Sequence, residues 1–124
     1  MDTPTPETNE PQFHASGLPQ PTWDSLVKAN GPKLFYLSKI GPDERILVFR
    51  PWRAEEYRAF VGQVADDRSQ LATAQEQAFN DTVVYPVGPT RDAMLKEFPA
   101  LARRVQLELD KLALGEVTRE AKKG

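Results

Sequence analysis

The sequence predicts an α+β fold: a short N-terminal helix and a β-hairpin followed by a small helical bundle, with a disordered Pro-rich N-terminal tail. Three patterns predict it. The runs LFYLSKI and RILVFR are rich in aromatic and β-branched residues and are parted by the turn residues GPDE, the signature of two antiparallel strands. Tyr57, Phe60, Val61 and Val64 recur at i, i+3, i+4 and i+7, the spacing of one helical face. Leu101, Val105, Leu109 and Leu112 repeat that spacing near the C-terminal end.

Residues 1–20 carry Pro4, Pro6, Pro11 and Pro19 among Thr, Asn, Gln and Gly. So few apolar residues cannot offset the entropy of ordering the segment, which predicts a flexible acidic tail. From residue 21 to residue 115 the chain reads as one domain. Trp23, Leu26 and Val27 predict a short helix, with Thr22 placed to cap it and Gly31 placed to stop it. In the first strand Leu34, Tyr36 and Ile40 share one face and Phe35 and Leu37 the other, so helices are expected on the hairpin. Pro51 ends the second strand, since it cannot donate to a ladder, and a helix is predicted over 54–65 with Glu55 and Glu56 in its first turn.

The next segment, LATAQEQAFNDTVVY, places Leu71, Ala74, Ala78, Phe79 and Val83 on one side, and helix is expected through Tyr85. Pro89 and Thr90 open a short helix that turns Met94, Leu95 and Phe98 inward. A longer helix is expected from Pro99, with Arg103, Arg104 and Lys111 toward water and Gly115 as its stop. Residues 116–124 read as a flexible C-terminal tail.

At 124 residues with a 40% hydrophobic fraction, the chain has material for one modest core and little for a deep substrate cavity besides. The absence of cysteine removes disulfides, thiolate catalysis and cysteine-based metal sites. The formal net charge is -2, and no stretch concentrates Lys and Arg, so nucleic acid is not the expected partner. Neither a signal peptide nor a membrane-spanning run is expected, which points to a soluble chain inside the cell.

Residues suited to chemistry are sparse. The one histidine, His14, falls in the Pro-rich tail, where it is expected to be solvated, and this removes triads and histidine metal sites. The carboxylate pairs Asp43/Glu44, Glu55/Glu56 and Asp66/Asp67 each have a local reading, as turn, helix start and connection. No catalytic residue, cofactor site or metal site is therefore assigned. The segment RPWR puts Arg50 and Arg53 around Trp52 at the strand-to-helix corner, a composition of binding hot spots, although Trp52 and Trp23 can equally be core packing.

Trp23 with Leu26, FRPWRAEEY from Phe49 to Tyr57, VVYP from Val83 to Pro86 and the last helix through LALG together resemble small tail assembly chaperones of tailed bacteriophages. The resemblance spans about three quarters of the chain and consists of core and turn residues. It implies a non-enzymatic protein of the host cytoplasm that binds the phage tape-measure protein during tail morphogenesis and keeps that long helical chain soluble. Binding would lay an amphipathic helix on an apolar groove, with Trp52, Tyr57 and Tyr85 as candidate contacts. A structural virion subunit, in the tail or as an adaptor, is the alternative. In that case the N-terminal tail would order on neighbouring copies, and a homo-oligomer would be expected.

Overall fold

Strong turn chemistry between two apolar runs produces the hairpin at the centre of the molecule. A computed structural model describes residues 12–115 and 122–123. Strands β1 (Phe35–Ile40) and β2 (Arg45–Phe49) pair antiparallel, with Phe35 opposite Phe49 and Leu37 opposite Leu47. Gly41 opens the turn at φ 73°, and any Cβ there would collide with the Phe98 ring, so glycine is required for both reasons.

Side chains alternate across the hairpin and feed two cores. Phe35, Leu37, Leu47 and Phe49 meet Phe79, Val83, Met94, Leu101, Val105 and Leu109 on one face. Leu34, Tyr36 and Val48 meet Leu18 and Trp23 on the other. Helix α1 (Gln20–Asn30) covers the second face. Helices α2 (Ala54–Asp66), α3 (Leu71–Thr82), α4 (Gly88–Glu97) and α5 (Leu101–Ala113) make up the predicted helical part, and α3, α4 and α5 supply the first core. The α+β architecture is as the sequence predicts. Phe49, Phe79, Leu47 and Val105 are completely buried, each contributing about 1.5–3 kcal/mol of apolar transfer. Helices α3 and α5 also share a polar seam, where Gln75 donates to Gln106 at 2.9 Å.

Several expectations need correction. Val83–Tyr85 is a strand, β3, paired with β2 opposite Val48 and Phe49, and not the last turn of a helix. Pro86 disfavours the helical region for the residue before it, and two consecutive valines favour the extended backbone that satisfies the open edge of β2. Helix α1 starts at Gln20, with Pro21 in its first turn, and Thr22 does not cap it.

The N-terminal tail does not run to residue 20. Phe13 bridges to Pro19, Ser16 and Leu18 are buried, and the ring of His14 stacks on Trp23 at 3.7 Å with the planes 5° apart. His14 is thus half-buried, and its Nδ1 accepts from the Ser16 amide at 2.9 Å. The indole of Trp23, buried in the second core, gives this polar segment the apolar partner its own composition lacks. Residues 1–11 of the expected tail lie outside the described residues. At the other end, Lys122–Lys123 (β4) pairs with β1 opposite Tyr36 and Phe35, giving the order β3-β2-β1-β4. The expected loose C-terminal tail therefore returns to the sheet at these two residues, where an open strand edge offers unpaired backbone groups. Its other residues lie outside the described ones.

Candidate functional site

The strand-to-helix corner sets up the site. Pro51 ends β2, and the chain enters α2 at Arg53, whose backbone N–H donates to Glu56 Oε1 at 2.8 Å. The same carboxylate receives Arg50 through two parallel bonds, Nη1 to Oε1 at 2.8 Å and Nη2 to Oε2 at 2.7 Å. Arg50 Nη2 also donates to the Asp81 carbonyl at 2.7 Å, and the Arg50 amide donates to the Thr82 carbonyl at 3.0 Å. One arginine thereby ties the start of α2 to the end of α3. The bond from Arg50, with that from the Arg53 amide, holds the Glu56 carboxyl below its ordinary pKa, and the bond to Glu56 raises that of Arg50.

The opposite end of the helix pair is closed by its connection. Asp67 accepts from the Ser69 amide at 3.0 Å and from the Ser69 hydroxyl at 2.7 Å, capping a 3-10 turn over Arg68–Gln70. These bonds lower the Asp67 pKa. Gln63 of α2 reaches Gln70 at 3.4 Å.

Between these fixed ends α2 and α3 do not close on each other. They leave an open groove of about 270 Å³, with Glu55, Ala59, Phe60 and Gln63 along one wall. Ala74, Ala78 and Asp81 line the other wall, and Trp52 stands at the Arg50 end. The alanines keep the floor low and apolar. Its lining includes Glu55, Glu56 and Asp81 but no basic side chain.

Helix α2 itself buries none of its residues. Its apolar stripe is not fully buried core: Tyr57 is 41% exposed and Val61 44% exposed, with Phe60 and Val64 half-buried. Trp52 bridges the two environments. It packs partly against the main core and meets Tyr57 edge-on at 5.5 Å and Phe60 at 5.1 Å. No protein-family model matches the chain, and comparison with curated proteins and with solved structures gives no match.

The structure brings Arg50, Trp52, Arg53 and Tyr57 together at this corner, but in different roles. Arg50 and Arg53 organise the helix start through Glu56, whereas Trp52 and Tyr57 present apolar surface. Tyr85 is not part of the group. It lies on β3 against the second core, beside a separate cavity of about 300 Å³ with Ile46, Pro86 and Met94. The importance of Glu56 was missed by sequence reasoning, which saw only a favourable charge in a first turn. The three-residue step from Arg53 to Glu56 was the signal available. Among the described residues, no three His, Asp or Glu side chains converge as a metal-holding group, and no helix is long and apolar enough to cross a membrane.

Proposed function

We propose that this chain is a non-enzymatic, tail assembly chaperone-like protein that binds the tape-measure protein of a tailed phage in the host cytoplasm. The observation that carries the reading is the unburied apolar stripe of α2, where Tyr57 and Val61 stand exposed beside Trp52 and Phe60. A helix is normally retained by burying such a stripe, so one that leaves Tyr57 and Val61 in water supports a role in partner binding. A tape-measure chain, long and helical, offers the complementary apolar face for helix-on-helix packing.

The carboxylates support a role without chemistry. Glu56 is engaged by Arg50 and Arg53, and Asp67 by Ser69, so neither is poised to exchange protons with a substrate. Quantitative mass spectrometry of purified phage particles beside lysates of producing cells tests the assignment. A chaperone is expected in the lysate and absent from the particle. A fixed copy number in the particle would instead assign the chain as a structural tail or adaptor subunit.

A further inference from the structure

Two surfaces of this chain complement each other and cannot meet within one copy. The first is the groove between α2 and α3. Its Arg50 end carries Glu55, Glu56 and Asp81; Glu56 is neutralised by Arg50, and Asp81 accepts from Gln77 through one carboxylate oxygen. One helical turn inward along each wall come Ala59 and Ala78, so an acidic mouth passes into an apolar floor. A closed apolar cavity of about 150 Å³ takes a benzene-sized group, so a groove of about 270 Å³ has room for a large aliphatic side chain and the stem of a neighbouring one.

The second surface is the outer face of α5. Leu101, Val105 and Leu109 point into the core. Arg103, Leu107, Lys111 and Leu114 fall at four-, four- and three-residue steps along the opposite side and are all exposed, Leu107 by 42% and Leu114 by 77%. Arg103 lies one turn, roughly 6 Å, before Leu107. This is the spacing that separates the acidic mouth of the groove from its alanine floor.

We propose that α5 of one copy docks into the α2–α3 groove of the next, with Arg103 between Glu55 and Asp81 and Leu107 over Ala59 and Ala78. The contact is head-to-tail: each copy gives α5 to one neighbour and its groove to another, so assembly continues until the rotation closes a ring or a filament grows. The groove shares Trp52 and Phe60 with the tail-assembly reading, whereas Tyr57 and Val61 lie outside its lining, so self-association and partner binding are separable by experiment.

Sedimentation velocity over a range of concentrations tests it with three forms of the full chain. The wild-type chain is expected to form species above the monomer that weaken as salt rises, because the charged mouth is screened. Ala59→Arg fills the groove and Leu107→Glu spoils the inserted face; each alone is expected to stay monomeric. Both positions are exposed, so each variant is expected to melt close to wild type. An equimolar mixture of the two retains one intact groove and one intact α5, and is expected to give a one-to-one dimer and nothing larger. Arg103→Glu, independently, is expected to weaken association roughly five- to tenfold. A wild-type chain that is monomeric throughout, single variants that assemble normally, or a mixture that stays monomeric would each overturn the proposal.

Discussion

The guanidinium of Arg50 and the carboxylate of Glu56 meet through paired bonds of 2.8 and 2.7 Å, with side chains only 15% and 17% exposed. The pair joins β2 to α2, and the additional bond from Arg50 to the Asp81 carbonyl extends the junction to α3. A fork-to-fork pair of this kind is among the stronger side-chain interactions, and lysine cannot reproduce its geometry.

Arg50→Lys and Glu56→Gln are each expected to destabilise the fold by about 1–3 kcal/mol, since each leaves hydrogen-bonding groups of a largely covered partner unmet. Urea unfolding measures this. The pH dependence follows from the lowered pKa of Glu56, caused first by the Arg50 bond. A carboxyl depressed in the folded state contributes stability above its unfolded value, ordinarily 4.5, and loses it as pH falls through the folded value. Glu56→Gln is therefore expected to flatten part of the acid limb of the stability curve.

The apolar faces of α5 and α2 should respond unequally to truncation. Leu109 is 1% exposed in the main core, so Leu109→Ala is expected to cost about 2–5 kcal/mol. Phe60, half-buried against Trp52, is expected to cost only about 0.5–1.5 kcal/mol when replaced by Ala. Equal costs would mean that α2 is held as tightly as α5.

Much of the architecture was legible because it follows from local chemistry. The hairpin came from GPDE between two β-branched runs, and α5 from its leucine and valine repeat. Periodicity identified α2 as a helix, but it could not tell whether the stripe faces a core or water, because that depends on the spacing between α2 and α3. The strand at Val83–Tyr85 was hidden for the complementary reason: its pairing partner, β2, lies more than thirty residues earlier. His14 was read as solvated because the tail composition is polar, and its place against the Trp23 ring depends on the fold bringing the segment back over the second core. Within the site, RPWR marked the right corner, while the roles of its arginines depended on Glu56 and on the end of α3.

The segment before α1 is expected to matter for stability. Leu18 is 4% exposed in the second core, so Leu18→Ala is expected to cost about 2–4 kcal/mol. His14→Ala, which removes the ring stacked on Trp23, is expected to cost about 0.5–1.5 kcal/mol. Tryptophan fluorescence during denaturant unfolding reports both.

Asp110 should act in the opposite pH direction from Glu56. Burial raises its pKa above the ordinary 3.8, against the smaller opposing effect of the amide of Gln106, which donates to it. The folded chain then holds this proton more tightly than the unfolded one, so the associated stability is present at low pH and is lost as pH rises through the folded value. Asp110→Asn keeps an acceptor for Gln106 and removes the ionisation. It is expected to raise the melting temperature at neutral pH and to leave it nearly unchanged well below pH 3.8.

The most direct test of the proposed tail-assembly role is the solubility of a phage tape-measure protein when it is co-expressed with this chain. With the wild-type chain the tape-measure protein is expected in the soluble fraction, bound to it. With Tyr57→Glu and Val61→Glu together it is expected to sediment, while the variant chain itself stays folded. A tape-measure protein that sediments equally with and without the wild-type chain would contradict the account.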